Sequence, residues 1–199
     1  EAGRVPSGAN EGRPFYVMDY VRGRDLIRWR EESGRSIEEC VAVVETICDG
    51  MNHAHSHGVV HRDIKPANVL MHTDGHPVIC DFGLAKCKVD LQNLTQTGEI
   101  LGTPSYMPPE QASGRIDQVN EAADIYSLGA VLYATLSGRP PFQADNPLDT
   151  LMQVLEREPV SPRTLSPKVP LDLETICLKC PEKDRRRRYR SARELAGER

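Results

Sequence analysis

The sequence predicts an α+β fold, mostly α-helical with short β-hairpins. Three observations carry this. Apolar residues recur at helical spacing over long stretches, two short β-branched runs flank an Asp-Gly turn, and an aromatic, β-branched segment lies near the N-terminus.

Taken in order, residues 1–13 (EAGRVPSGANEGR) are polar and Gly-rich and read as a flexible lead-in, while Phe15 to Val21 has the bias of a buried strand. Ser36 and Glu39 form a capping box, behind which Ile37, Val41, Val44, Ile47, Cys48 and Met51 recur at helical spacing and predict a long amphipathic helix. Val69 to Met71 and Val78 to Cys80 are short strands joined through Asp74-Gly75, a hairpin signal. Residues 81–110 are polar and rich in Thr, Gln and Gly, too long for an idle connection. Beyond them Ile125, Leu128, Val131, Leu132, Thr135 and Leu136 predict a helix that stops at Gly138 before Pro140. Further helices are expected over 148–158, opened by Pro147, over 171–180, and after Ser191 and Glu194.

The chain of 199 residues is 39% hydrophobic and 27% charged, enough for one domain with a sizeable core. Its net charge of −4 argues against nucleic-acid binding through bulk electrostatics. The one dense basic run, Arg185 to Arg190, reads as a solvated face. Six cysteines are scattered rather than set in a disulfide framework, which points to a reducing, cytoplasmic compartment. Cys177 and Cys180 have C-x-x-C spacing but lack a second metal-binding pair, so they read as core residues one helical turn apart. No stretch reaches the ~18 apolar residues of a membrane span, and no signal peptide is visible. Membrane contact is therefore not expected of this segment, though a longer parent has room for a tether elsewhere. A chain opening on Glu1 rather than methionine reads as a fragment.

The chemistry concentrates around the predicted hairpin. His61-Arg62-Asp63-Ile64-Lys65-Pro66-Ala67-Asn68 precedes it and Asp81-Phe82-Gly83 follows it. Gly102-Thr103-Pro104 and Pro108-Pro109-Glu110 come next. In this order and spacing the motifs resemble the catalytic loop, metal-binding turn and substrate loop of the Ser/Thr protein kinases, in particular the bacterial eukaryotic-like (Hanks-type) branch. The resemblance covers roughly residues 14–195.

What it implies is a protein-kinase-like C-lobe. Residues 14–24 would be the end of an N-lobe strand and the hinge, residues 25–199 the C-lobe, and 81–110 its activation segment. The activity implied is transfer of the ATP γ-phosphoryl group to Ser or Thr of proteins, with Mg²⁺. Such transfer has a loose transition state, so the protein mainly positions the partners and neutralises charge. Asp63 would orient the substrate hydroxyl, Lys65 would face the γ-phosphate, and Asn68 and Asp81 would offer oxygen ligands to Mg²⁺. Met18 would be the gatekeeper, Asp19 and Val21 would hydrogen-bond adenine through their backbones, Asp25 would lie near the ribose and Leu70 under the adenine. Arg62 would pair with a phosphate on the activation segment, with Thr95 and Thr97 the best-placed acceptors. Thr103 would bond Asp63 and Lys65, Glu110 would pair with Arg188, and Asp124 would anchor the catalytic-loop backbone or simply cap its helix.

The match fails in one region. The family's Gly-rich loop, strand lysine and helix glutamate all precede the hinge, yet the first lysine here is Lys65, and Gly3, Gly8 and Gly12 make no G-x-G-x-x-G. This polypeptide alone is expected to bind ATP weakly. A non-catalytic lobe, pseudokinase-like or orphaned and used for protein contacts, is the alternative. Pro108, Pro181 and Arg185 also depart from the family pattern, and Pro181 is expected to end its helix early and loosen the docking of Arg188.

Overall fold

The computed structural model describes residues 2–4, 6, 12, 14–82 and 104–198. Its architecture is α+β: helices packed around one long central helix, with a small three-stranded antiparallel sheet at one edge.

The sheet forms around the predicted hairpin. Strands β4 (Val69–His72) and β5 (Pro77–Ile79) pair antiparallel with Leu70 opposite Val78, and Gly75 supplies the positive φ of the turn. On the other side of β4 lies β3 (Gly23–Asp25), with Gly23 opposite His72. A Cβ on Gly23 would stand 2.0 Å from the Met71 carbonyl oxygen, so this pairing requires a glycine. A separate two-stranded ribbon pairs β1 (Ala2–Arg4) with β2 (Pro14–Tyr16).

Directly after β3, Asp25 accepts the backbone N–H groups of Ile27 and Arg28 at 3.1 Å each and opens α1 (Leu26–Ser33). Helix α2 (Ile37–Ser56) begins with a complete capping box between Ser36 and Glu39 and buries Cys40, Val44, Ile47, Cys48, Met51 and His55. These side chains meet α4 (Glu121–Ser137), which is buried along nearly its whole length from Ala123 to Leu136. A helix apolar on one stripe lies on a core; one apolar all round lies inside it, and α4 is of the second kind. Helices α7 (Leu171–Lys179) and α8 (Ala192–Gly197) close the far side. Helices α3 (Pro109–Ala112) and α5 (Pro147–Glu156) build a second, smaller core from Ala112, Phe142, Leu151 and Val154, and α6 (Pro162–Leu165) links it to α7.

The approach of α7 to α4 is set by Gly129, where an added Cβ would lie 2.0 Å from the Cβ of Cys180. Gly129→Ala is therefore expected to push the helices apart and cost about 1–3 kcal/mol, read as a lower urea midpoint with unchanged m. Cys177 and Cys180 both point into this interface, where burial holds their thiols well above the usual cysteine range. They are packing residues.

Several expectations are corrected. The lead-in is not all loop, because β1 occupies part of it; a three-residue strand of Ala, Gly and Arg exists only through its pairing with β2, which local composition does not reveal. The strand expected over 15–21 ends at Tyr16, and Val17, Met18 and Tyr20 are 61%, 54% and 86% exposed. Their apolar bias suits a covered sheet, whereas here all three stand largely exposed. Helices α1, α3 and α6 and strand β3 were not expected at all. The polar 81–110 stretch ends in order: Pro104–Tyr106 form a 3-10 turn leading to α3, and Pro108 through Ala112 are buried. Finally, Pro181 follows the end of α7 without loosening Arg188, whose side chain is fully buried.

Candidate active site

The geometry of the site starts from α4. Asp124 lies in its first turns, where Asn120 is the N-cap, so its carboxylate is not used for capping. Instead it is wholly buried, and its Oδ2 accepts the His61 N–H and its Oδ1 the Arg62 N–H, each at 2.8 Å. The same Oδ2 accepts from Nε2 of buried His55, also at 2.8 Å. Three donors on one carboxylate fix the entry of the loop carrying Asp63. Arg62 is held at φ +69°, a left-handed conformation that a non-glycine residue keeps only when its surroundings impose it. Asp124→Asn would turn an N–H₂ toward donors and leave at least one unpaired; a loss of about 1–3 kcal/mol is expected in thermal or urea unfolding.

Past that anchor the loop folds back on itself. Lys65 Nζ donates to Asp63 Oδ2 at 2.7 Å, and Asn68 Nδ2 donates to the Asp63 carbonyl at 2.8 Å and to its Oδ2 at 3.2 Å. Lys65 begins a 3-10 turn, Pro66–Asn68, which delivers Asn68 to the start of β4. Asp63, Lys65 and Asn68 are thus brought together, with Asp63 and Lys65 part-exposed.

Asp81 reaches this group through its neighbour. Cys80 N–H donates to the Asn68 carbonyl at 2.9 Å, and its thiol lies 3.4 Å from the same oxygen and 3.6 Å from Asp81 Oδ2. Burial and the adjacent carboxylate push that thiol up to about 11. Asp63 N–H donates to Nδ1 of His61, so Nε2 carries the ring proton and donates to the Cys80 carbonyl at 3.0 Å. The His61 ring also packs on Phe82, centroids 4.7 Å apart. Asp81 has φ +64°, so both ends of this two-segment site are left-handed at a non-glycine residue.

The remaining candidates are placed as follows. Met18 and Asp19 are exposed and Val21 half-buried in the link between β2 and β3. No hydrogen bond among the described residues joins them to Asp63, Lys65 or Asn68. Asp25 spends one carboxylate oxygen on the cap of α1, and the other lies 3.4 Å from Arg28; its backbone is paired opposite half-buried Leu70. Glu110 and Arg188 form a buried bidentate ion pair at 2.7 and 2.9 Å. Thr95, Thr97 and Thr103 lie outside the described residues. One residue escaped the sequence reading: His55, which continues the buried face of α2 four residues past Met51. A histidine at a core-facing position must find a polar partner, and that was the available signal.

Comparison with known proteins converges on the same region. The protein kinase domain model matches residues 8–197. The chain is 35% identical over 185 residues to serine/threonine-protein kinase PknB of Mycobacterium leprae, covering 92% of this chain and 29% of that protein. It is 36% identical over 186 residues to PknB of Mycobacterium tuberculosis, with the same coverage. With a probable serine/threonine-protein kinase of Streptomyces coelicolor it shares 39% over 189 residues, 94% of this chain and 28% of that protein. The chain thus spans less than a third of the length of these relatives. It belongs to the protein kinase family, within the bacterial Hanks-type Ser/Thr branch.

Proposed function

We propose that the protein of which these residues form part transfers the γ-phosphoryl group of ATP to Ser or Thr hydroxyls of proteins. The observation that carries this is the convergence of Asp63, Lys65 and Asn68 within hydrogen-bonding reach, with Asp81 one residue beyond the Cys80–Asn68 contact. Asp63 orients the incoming hydroxyl and takes its proton, and Lys65 supplies compact positive charge at the transferring phosphate.

The kinase family uses ATP and Mg²⁺, and the donor set here suits that ion. Asn68 commits its N–H₂ to Asp63, which leaves its amide oxygen as the group to offer, and Asp81 adds a carboxylate. Mg²⁺ takes hard oxygen ligands and keeps several waters, so two protein oxygens plus phosphates suffice. Among the described residues no cluster of three or more His, Cys, Asp or Glu forms a protein-only cage. When bound, the ion would neutralise phosphate charge.

Met18, Asp19, Val21, Asp25 and Leu70 are assigned to the nucleotide's adenine and ribose, and residues 14–24 to the hinge. Arg62 is assigned to regulation. Its Nε is buried with no hydrogen-bond partner among the described residues, a deficit that an added phosphate on Thr95 or Thr97 would relieve. Thr103 shapes the acceptor groove, while Asp124 and the Glu110–Arg188 pair hold the framework. Among the described residues no helix is long and apolar enough to cross a membrane. The scattered cysteines are the ground on which this segment is assigned to the cytoplasm.

The test is transfer of label from [γ-³²P]ATP by the full-length parent, followed by phosphoamino-acid analysis. Label on Ser or Thr that vanishes when Mg²⁺ is chelated supports the reading; no label, or label indifferent to chelation, rejects it. For these 199 residues alone, Mg·ATP is expected to leave the melting temperature nearly unchanged below millimolar concentration.

A further inference from the structure

The end of α2 carries histidines on two faces. His55 points inward to Asp124, whereas His53 and His57, four residues apart, are exposed on the other side. Their rings are in contact, with centroids 4.5 Å apart and planes inclined by 47°. His57 Nδ1 lies 2.9 Å from the His53 carbonyl, which can only accept, so Nδ1 carries the ring proton and Nε2 keeps a free lone pair. Ser56 Oγ spends its own hydrogen on the same carbonyl at 2.7 Å and sits 3.2 Å from Nδ1, where it accepts as well. Among the described residues no hydrogen bond occupies the His53 ring.

An imidazole with one nitrogen fixed by a backbone carbonyl and the other free is in the state that ligates a metal. The ring spacing narrows the choice. With metal–nitrogen bonds of about 2.0–2.1 Å, two imidazoles at right angles on one ion have centroids roughly 4.5 Å apart, the separation found here. Right-angle coordination by imidazole suits Ni²⁺ and Cu²⁺, whereas Mg²⁺ takes oxygen ligands. Charge favours a cation too, since His57 stands at the C-terminal, negative end of α2 and Asp49 lies exposed one turn before His53. We propose that His53 and His57 chelate one Ni²⁺ or Cu²⁺ ion, with water in the remaining positions. Two protein ligands make this an open site rather than a cage. The bound ion ties down the last turn of α2, whose inner face holds His55 on Asp124. The inference does not rest on phosphoryl transfer, since neither histidine belongs to the Asp63 cluster.

The experiment titrates Ni²⁺ alone into the whole chain by calorimetry, in buffer free of imidazole and chelators. His53→Ala and His57→Ala each remove one ligand at an exposed position, and His72→Ala/His76→Ala removes the separate pair at the hairpin turn. The expected result is one ion bound by the wild type and by the hairpin variant. Either single variant at α2 is expected to bind about tenfold or more weakly, because the second imidazole no longer adds its intramolecular contact. Binding should weaken on acidification, as protons compete for the same nitrogens, and excess Mg²⁺ should leave it unchanged. Ni²⁺ should raise the melting temperature of the wild type and not that of the α2 variants, whose metal-free melting matches wild type. Wild-type affinity in either α2 variant would overturn the proposal. So would loss of binding in the hairpin variant alone, displacement by Mg²⁺, or the absence of saturable binding to the wild type.

Discussion

Asp63→Asn in the full-length parent is expected to lower kcat for Ser/Thr phosphorylation by ~10²–10⁴-fold while leaving the KM for ATP and the melting temperature close to wild type. The asymmetry follows from the surroundings of the carboxylate. Its ion pair with Lys65 is part-exposed, with side-chain accessibilities of 33% and 20%, so it contributes no more than about 1 kcal/mol to folding. The rate effect corresponds to about 3–5 kcal/mol and therefore dominates. Asparagine keeps the shape but presents either an amide oxygen or an N–H₂, and neither accepts a proton from an alcohol. It also faces two donors, Lys65 Nζ and Asn68 Nδ2, which at present converge on one oxygen. An amide oxygen there retains those contacts weakly, so the loop keeps its form. Steady-state kinetics with labelled ATP and a melting curve on the same protein read both quantities. Equal kcat in the two proteins would remove Asp63 from the chemistry, and a large drop in melting temperature with proportionate loss of rate would make its role structural.

What the sequence disclosed divides along a physical line. Interactions closed within a few residues were legible: the Ser36–Glu39 capping box, the Asp74-Gly75 turn, Pro147 opening α5, and the 3.6-residue period of α2. So was the resemblance carried by residues 61–68 and 81–83, because their chemistry fixes side-chain types at fixed spacing. Interactions closed across the chain were not. Strand β3 exists because Gly23 can approach Met71, 48 positions away, and β1 exists because β2 pairs with it. His55 meets Asp124 across 69 residues, a contact that neither residue's neighbours announce. The exposed run Val17, Met18 and Tyr20 misled in the opposite sense, since a strand-like composition says that a segment suits a sheet, not that the sheet is at hand.

Arg188→Ala is the substitution expected to cost most in stability, about 3–5 kcal/mol. The guanidinium is fully buried and uses four donors. Nη1 and Nη2 grip the two Glu110 oxygens, Nη1 also donates to the Ala122 carbonyl, and Nε donates to the Glu182 carbonyl. It further lies 5.0 Å above the Tyr126 ring. Truncation therefore strands a 5%-exposed carboxylate and two carbonyl groups at once, which is why the penalty exceeds the net worth of the pair. Against a typical domain stability of about 5–15 kcal/mol the loss is about a fifth or more, and for a chain of this length it corresponds to a fall of roughly 6–20 °C in melting temperature. Because Glu110 sits in α3, directly after the 3-10 turn at Pro104–Tyr106, the damage should reach the end of the 81–110 stretch before the Asp63 cluster. Hydrogen exchange would show it as faster opening of 104–112 than of 61–68. The double variant Glu110→Leu/Arg188→Met separates charge from packing: removing both charges is expected to restore most of the lost stability, since apolar groups of similar volume satisfy the site without a stranded ion. If the double variant is no more stable than Arg188→Ala, the cost lies in the carbonyls of Ala122 and Glu182, and the guanidinium acts there as a clamp on the chain rather than as a counter-ion.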